Sequence, residues 1–180
     1  MIRLEHLEKE DLKEIVEWNA NKSADFLTQW AGASYSYPLT LKQIENWFFN
    51  DFKKYDSNIN AYKILITDTD EFIGTVELRE IDRSNKIGKV YRLIIGEEKF
   101  RSKGIGTQAL KELLRIGFKD LNFEKITLGV YDFNHSAIKC YEKAGFVKEK
   151  FLENATKVAT GYWNSYEMAI SKGEWQTKNE

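Results

Sequence analysis

The stretch YRLIIGEEKFRSKGIGTQALKELLRIGF, Tyr91 to Phe118, joins an apolar run to a helical pattern through a basic turn. The apolar run ends at Ile95, and the turn from Arg101 to Gly106 carries two glycines among positive charges. Beyond the turn, apolar side chains recur at helical spacing, at Leu110, Leu113, Leu114 and Phe118. The stretch therefore predicts a strand, a tight turn and an amphipathic helix, in that order.

The turn has the features of an anion site. The first turn of a helix has backbone N–H groups without helical partners, and the helix dipole adds partial positive charge there. Gly104 and Gly106 would let the backbone approach a ligand that a Cβ would displace, and Arg101 and Lys103 add charge. The pattern predicts a phosphate site, although a plain strand-to-helix connection with solvated basic residues is an open alternative.

Two other kinds of phosphate-binding loop fit the turn less well. A Walker-type loop requires G-x-x-x-x-G-K-S/T, which is absent, because a single residue separates Gly104 from Gly106. Gly104, Gly106 and Ala109 do satisfy the dinucleotide pattern G-x-G-x-x-A. That pattern belongs to an early βαβ unit of a repeating parallel sheet, whereas here a β-meander precedes the turn and a hairpin follows it. The context argues against a dinucleotide site.

Composition narrows the class of protein. The 180 residues are 42% hydrophobic, enough for one globular domain, and 27 basic and 28 acidic residues leave a net charge of −1. This balance argues against nucleic acid or a membrane as a partner. The single cysteine, Cys140, and the absence of a zinc-ligand pattern predict a reduced setting without metal. With no signal peptide at Met1 and no long apolar run, we expect a soluble, cytoplasmic protein.

The first third of the chain predicts one strand and two helices. Apolar and polar residues alternate from Ile2 to His6, and apolar residues recur at helical spacing from Leu12 to Val16. Thr40 and Gln43 form a capping-box pattern in front of a second helix. The segment from Ser34 to Pro38 breaks the periodicity and predicts a loop.

The middle of the chain predicts a three-stranded meander followed by a βαβ unit. Two strand-like runs flank a turn at Asp68 to Asp70, and the run from Ile87 to Ile95 is the third strand. This strand, the helix of the opening stretch and an alternating run from Ile126 to Val130 make the βαβ unit.

A helix and a hairpin are predicted for the end of the chain. The helix starts near His135 and ends at Gly145, a favourable C-cap. The runs Phe146 to Phe151 and Tyr162 to Ile170 have the pattern of paired strands. The intervening segment ENATKVAT predicts a long connection between them.

Two motifs resemble the GCN5-related N-acetyltransferase superfamily. RSKGIG resembles its Q/R-x-x-G-x-G/A signature, at the junction of the fourth strand and the third helix. LGVYDFNHSAIKCYEKAGF, Leu128 to Phe146, resembles its other recurring segment, whose matching residues here are Asn134, Ala137, Tyr141, Gly145 and Phe146. The resemblance covers Ile64 to Ile170, and among subgroups it is strongest to the ribosomal-protein alanine acetyltransferases.

The resemblance implies an α/β fold with a mixed, mostly antiparallel sheet whose fourth and fifth strands part, flanked by helices. Residues 1–180 would form one acetyltransferase domain. Residues 1–60 would supply a strand and acceptor-side helices, 61–132 the central meander and a CoA-binding βαβ unit, and 133–180 a helix and a hairpin.

The implied reaction is direct attack of an amine on the thioester of acetyl-CoA. Tyr141 would protonate the departing thiolate, for which a phenol of pKa near 10 is suited at neutral pH. Asn134 would hydrogen-bond the pantetheine arm, and a backbone N–H near Ile94 would stabilise the oxyanion. Because Asn134 and Tyr141 are two helical turns apart, both side chains can reach one ligand. The expected cofactor-binding residues are Leu93, Ile94, Ile95, Arg101, Ser102, Lys103, Gly104, Ile105, Gly106, Thr107, Asn134, Ala137 and Tyr141.

The general base is harder to assign from the sequence. Many relatives carry a glutamate early in the fourth strand, where this chain has Lys89. Glu77 is the substitute candidate, with a solvated strand carboxylate as the alternative. His6 and His135 have no partner visible in the sequence. Cys140 lies about 100° around the helix from the neighbouring tyrosine, which favours direct transfer over an acetyl-enzyme.

The acceptor is left open among a protein N-terminus, a polyamine, an aminoglycoside and an amino acid. The aromatic residues Trp30, Tyr35 and Tyr37 in a predicted loop, with Tyr162 and Trp163, could wall an amine pocket or pack in the core. Net charges of −3 for residues 1–60 and +2 for 61–180 suit a cationic acceptor and an anionic cofactor. A homodimer is an open option, and the competing function is a non-catalytic acyl-CoA sensor module.

Overall fold

The computed structural model describes residues 1–179, which are built around a seven-stranded sheet. Its strands are β1 (Ile2–His6), β2 (Ile59–Ile66), β3 (Phe72–Asp82), β4 (Ile87–Ile95), β5 (Lys125–Tyr131), β6 (Val147–Val158) and β7 (Gly161–Ser171). Their order is β1-β2-β3-β4-β5-β7-β6, in which β4 and β5 are parallel and all other neighbours antiparallel. The mixed, mostly antiparallel sheet predicted from the sequence is confirmed.

Helices cover both faces of this sheet. They are α1 (Leu12–Glu17), α2 (Ala24–Ala31), α3 (Leu41–Trp47), α4 (Ile105–Arg115), α5 (His135–Ala144) and α6 (Lys172–Asn179). Helices α3 and α4 each run on into a π-helical turn, Phe48–Phe52 and Ile116–Asp120. Among residues 1–179, no helix combines the length and the apolar character that a membrane crossing requires.

The two faces of the sheet belong to two apolar clusters. Alternate residues of β2 show the division, since Tyr62 and Ile64 belong to one cluster, while Ile59 and Ala61 belong to the other. The first cluster contains the buried residues of α4 and α5, and the second contains those of α1, α2 and α3. The N-terminal helices and the βαβ helix therefore lie on opposite sides of the sheet.

Strands β4 and β5 part in the middle of the sheet. They pair from Ile87 opposite Lys125 to Val90 opposite Leu128, and the pairing ends there. Beyond this point β4 carries a bulge against β3, where Arg92 has φ +49°. Gly74 of β3 permits a close approach at the bulge, because a Cβ at that position would lie 2.3 Å from the Ile94 carbonyl oxygen. The predicted separation of the fourth and fifth strands is confirmed.

The prediction of an aromatic loop around Trp30 is wrong. Trp30 lies in α2, a third helix in the first third of the chain. Its N-cap is Ser23, whose hydroxyl oxygen accepts a hydrogen bond from Phe26 N at 3.1 Å. The helix has only eight residues, too few for a helical apolar period to be distinguished from the loop that follows it.

The prediction of a long connection before the last strand was also wrong. ENATKVAT belongs mostly to β6, which continues to Val158, and a short turn at 159–160 leads into β7. Strand β6 is an edge strand whose side chains are almost all exposed. A strand without a buried face lacks the alternating apolar pattern that would have revealed it. The terminal helix α6 was not predicted either.

Candidate active site

The two glycines of the basic turn serve different purposes. Gly104 is the N-cap of α4 with φ +77°, and a Cβ there would meet no protein atom within 4 Å, so it would point into open space. A Cβ at Gly106 would lie 3.2 Å from Cys140 Sγ. The first glycine thus gives the turn its left-handed conformation and keeps the helix N-terminus accessible. The second allows close packing of α4 against α5.

Arg101 and Lys103 do not share one role. The Arg101 guanidinium donates hydrogen bonds to the carbonyl oxygens of Ile95 at 2.8 Å and Gly96 at 3.0 Å. It therefore ties the turn to the end of β4. Lys103 is exposed, and its Nζ lies 5.9 Å from the centre of the Phe100 ring. The backbone of the turn is thus held in place by one basic residue, while the other faces solvent.

A cleft of about 460 Å³ runs between the end of β4 and the helices α4 and α5. We call it the cofactor cleft. It is lined by all the predicted cofactor-binding residues except Lys103: Leu93, Ile94, Ile95, Arg101, Ser102, Gly104, Ile105, Gly106, Thr107, Asn134, Ala137 and Tyr141. Phe26, Gln29 and Trp30 of α2 close one side.

Two lysines of the cofactor cleft were not predicted. Lys139 and Lys143 line it from α5, four residues apart and therefore on one face of the helix. No Asp or Glu within residues 1–179 lines this cleft. No signal in the sequence pointed to them, because positions two residues before and after Tyr141 lie about 160° round the helix from it.

Asn134 combines a capping role with a free donor. Its side-chain oxygen accepts hydrogen bonds from Ala137 N at 3.2 Å and from the Ser136 hydroxyl at 3.1 Å, so it caps α5. The amide nitrogen of the same side chain takes no part in the cap. Because Asn134 also lines the cofactor cleft, that nitrogen can donate to a ligand.

Tyr141 lines the cofactor cleft together with the end of β4, where β4 and β5 part. Its half-buried ring contacts Phe146 edge-on, with the ring centroids 6.5 Å apart. Within residues 1–179 its hydroxyl has no hydrogen-bond partner, whereas the hydroxyl of a core tyrosine is usually satisfied by backbone. Burial raises the pKa of the phenol above its usual value. The hydroxyl is therefore protonated and free to donate.

A second cleft, of about 390 Å³, opens on the other side of Tyr141. Its walls come from 28–34, 89–93, 128–131 and the β6–β7 hairpin. It shares Gln29, Trp30, Leu93, Asn134 and Tyr141 with the cofactor cleft. The two clefts thus meet at the parted strands, with Tyr141 at the junction.

Glu77 lies away from this junction. Its side chain is buried, and it lines neither the cofactor cleft nor the second cleft. One carboxylate oxygen accepts a hydrogen bond from Arg92 Nη1 at 2.8 Å, and the other accepts two from Arg79, at 2.7 and 3.0 Å. The Arg92 guanidinium in turn stacks on Tyr35 at 4.5 Å and on Trp47 at 4.8 Å. The carboxylate is thus not solvated, and the cavity beside it, about 20 Å³, is too small for an amine substrate.

The predicted aromatic residues are divided between clefts, core and surface. Trp30 lines both clefts, and its indole N–H donates to Asn19 Oδ1 at 3.0 Å. Tyr35 packs on the buried arginine of β4, and burial raises the pKa of its phenol. Tyr37 and Tyr162 are exposed. Trp163 contacts two other aromatic rings, including Tyr131 at 4.9 Å.

Cys140 and the two histidines are poor candidates for catalysis. Cys140 lines the cofactor cleft, but burial raises the pKa of its thiol, and the Thr107 hydroxyl donates to its sulfur at 3.4 Å. A neutral thiol is a weak nucleophile. His6 stacks on Tyr62 at 4.9 Å, and His135 is exposed at the start of α5. Neither histidine lines a cleft.

Comparisons with known proteins identify the family of this chain. Residues 2–147 match the family model described as the acetyltransferase (GNAT) domain. The chain is 26% identical to the spermidine N(1)-acetyltransferase of Escherichia coli K12 over 179 residues, covering 99% of this chain and 90% of the relative. The crystal structure of spermidine N-acetyltransferase from Vibrio cholerae with CoA and spermine superposes with a TM-score of 0.83, at 24% identity, covering 97% of this chain and 98% of that one. The chain belongs to the GNAT acetyltransferase family and is an acetyl-CoA-dependent N-acetyltransferase.

Proposed function

We propose that this enzyme transfers an acetyl group to a small primary amine, which attacks the thioester directly. The observation that carries the proposal is the meeting of two clefts at Tyr141. A thioester carbon placed at this junction would be reachable by an amine from the second cleft, while its CoA part occupied the other. The parted strands β4 and β5 are what make such a passage through the sheet.

The cofactor cleft suits a long anionic ligand. The backbone of 102–107, at the N-terminus of α4, would hold the pyrophosphate, with Lys139 and Lys143 adding positive charge. The pantetheine arm would run beside 93–95, and the free amide nitrogen of Asn134 would donate to it. Ala137 leaves room along the same helix face. In this proposal Lys103 contributes only long-range charge.

Tyr141 is proposed as the general acid. As the amine nitrogen bonds to the carbonyl carbon, the backbone near Ile94 would stabilise the oxyanion, and the C–S bond would then break. The thiolate would take its proton from the Tyr141 hydroxyl, and the proton that the attacking nitrogen loses as the amide forms would return through water to the phenolate. Burial raises the pKa of this phenol, and the same low-polarity surroundings would raise the pKa of a thiol placed there, so the two shifts offset each other.

Glu77 fits a supporting role better than that of the base. Both of its oxygens are held by arginines, and an amine in either cleft would not reach them. We propose that Glu77 fixes Arg92, whose φ of +49° lies within the bulge that parts the strands. The proton of the incoming ammonium would pass to water in the second cleft.

The comparisons favour a small-molecule amine over the protein N-terminus implied by a ribosomal-protein alanine acetyltransferase. Relatives aligned over nearly the whole chain are spermidine N(1)-acetyltransferases. We further propose that residues 1–180 act as one acetyltransferase domain whose first 60 residues, through α2, wall the acceptor side. The unpaired Cys140 suits a cytoplasmic location.

Thiol release from acetyl-CoA in the presence of a panel of amines tests the proposal. The panel contains spermidine, an aminoglycoside, free amino acids and a short peptide, and we expect release that depends on the amine. A melting curve accompanies the assay, in which acetyl-CoA should raise the Tm and NADH should not. A Tm shift with acetyl-CoA but no thiol release with any amine would leave the non-catalytic sensor. A shift with NADH alone would replace the proposal with dinucleotide binding.

A further inference from the structure

The second cleft is lined by cations but by no carboxylate. Its charged lining residues are Lys89 and Arg92, and no Asp or Glu of residues 1–179 is among its walls. The Arg92 guanidinium is already paired with Glu77. The half-buried Lys89 forms no ion pair within the described chain, and its ammonium lies 5.6 Å from the centre of the Tyr91 ring. An uncompensated ammonium thus faces the site where the acceptor would bind.

Neighbouring charges add to this positive field. Arg79 is the cross-strand partner of Lys89, and its guanidinium stacks 4.7 Å from the centre of the Tyr91 ring. The cluster holds three cations, these two and Arg92, against the single carboxylate of Glu77, for a net charge of +2. A polycation entering the cleft would meet repulsion without a compensating carboxylate, whereas an anion would gain a partner.

The acidic residues of the first third lie outside the walls of the second cleft. Their excess predicted a cationic acceptor, but none of the ten in residues 1–60 lines the second cleft. Asp11 pairs with Lys63 at 3.2 Å, and its other contact is with Glu8 N, outside the cleft. The net charge of a segment is therefore a poor guide to the charge of the cleft that it helps to build.

We propose that the acceptor is a primary amine that also carries a carboxylate or phosphate, which Lys89 binds. This inference rests on the proposed function. The amine would lie at the Tyr141 end of the cleft, beside Leu93. Lys89 lies four residues earlier on β4, about 13 Å away at the usual rise of a strand, and its long side chain shortens that distance. The acceptor is thus an amine with an anionic group several bonds away.

Four acceptors of equal chain length test the charge preference. They are hexylamine, 6-aminohexanoate, 6-aminohexyl phosphate and 1,6-diaminohexane, with a neutral, carboxylate, phosphate or ammonium end. Their kcat/KM values, measured by thiol release, should be highest for an anionic acceptor and lowest for the diamine. A charged hydrogen bond implies a preference of roughly 10- to 100-fold for the better anionic acceptor over hexylamine. The two anionic acceptors show whether carboxylate or phosphate fits.

Variants at position 89 assign the preference to the lysine. Lys89→Gln should remove most of the preference for the anionic acceptor, and Lys89→Glu should reverse it in favour of the diamine. Lys111→Gln, an exposed lysine of α4 that lines neither cleft, is the matched control and should keep the wild-type ratio. Ratios between acceptors are compared within each variant, so a change in stability cancels.

The outcomes separate this inference from the proposed function. Preference of the wild type for 1,6-diaminohexane or spermidine over both anionic acceptors overturns the inference and leaves the acetyltransfer intact. An unchanged ratio in Lys89→Gln also overturns it. Absence of thiol release with every amine, in enzyme that still binds acetyl-CoA, overturns the proposed function and the inference together.

Discussion

The cofactor cleft and the second cleft are built in different ways. The cofactor cleft is made largely by two continuous segments, 93–107 and 134–143, and by the backbone of a glycine-containing turn. The second cleft takes its walls from five separate parts of the chain, of which α5 with its N-cap is one. A ligand held by backbone leaves a pattern in the sequence, because glycine is required there. A ligand held by side chains from distant segments leaves none until the fold is known.

The junction between the clefts gives the largest expected effect. Replacing Tyr141 by Phe removes the hydroxyl while keeping nearly all of the side-chain volume. If the hydroxyl protonates the departing thiolate, kcat should fall by roughly 10²- to 10⁴-fold, the usual range for general acid catalysis. Steady-state kinetics with an active amine measure this loss.

Affinity and stability distinguish this role from packing. CoA affinity, measured by calorimetric titration, should change only a few-fold in Tyr141→Phe, and the Tm should stay close to that of the wild type. An unchanged kcat, with chemistry shown to be rate-limiting, would remove Tyr141 from the mechanism.

The buried ion pair behind the second cleft should affect stability rather than chemistry. Glu77→Gln leaves Arg92 and Arg79 without their carboxylate, and breaking a buried pair costs about 3–5 kcal/mol of the free energy of unfolding. Glu80→Gln, on the same strand, disrupts an exposed pair with Arg83 and should cost less than about 1 kcal/mol. Chemical denaturation of both variants measures the difference.

A general base would give the opposite pattern for Glu77. Loss of activity in Glu77→Gln at unchanged stability, together with loss of the acidic limb of the pH–rate profile, would make Glu77 the base and contradict the supporting role. Activity lost in proportion to stability would agree with it.

One glycine from each cleft compares the two clefts, with the smallest expected effect; Gly104 is left-handed with ψ 3°, whereas Gly32 has ψ −142°. Gly104 lines the cofactor cleft with φ +77°, and Gly32 lines the second cleft with φ +59°; a Cβ at either would meet no protein atom within 4 Å. Valine is strained at both, but only at Gly104 would its side chain enter the path of CoA, so Gly104→Val alone should weaken CoA binding, by roughly tenfold or about 1.4 kcal/mol. Lys103→Ala should weaken it less.

Calorimetric titration with CoA decides this comparison, with melting curves to confirm that each variant is folded. Gly32→Val should keep CoA affinity and raise the KM for the amine. Equal loss of CoA affinity in both valine variants, or a greater loss in Lys103→Ala than in Gly104→Val, would contradict a cradle built from backbone.

The difference between local features and features built from distant segments also explains what the sequence could predict. The bounds of β4 and the end of α5 at Gly145 are confirmed, because a long apolar run and a glycine C-cap are local signals. The contacts of Glu77 could not be predicted from the sequence, because one of its partners, Arg92, lies on the neighbouring strand and is displaced by a bulge. The charge of the second cleft could not be predicted either, because it depends on which residues from distant segments line the cleft together with Lys89.

Gly74 sets a limit on how this sequence can diverge. Any other residue would place a Cβ 2.3 Å from the backbone oxygen of Ile94, and a backbone atom cannot rotate aside as a side chain can. Strands β3 and β4 would have to separate at the bulge, next to the place where β4 leaves β5. Glycine is therefore the residue that position 74 requires, although this position lines neither cleft. A residue can thus be required for the opening that joins the two substrate clefts without contacting either substrate.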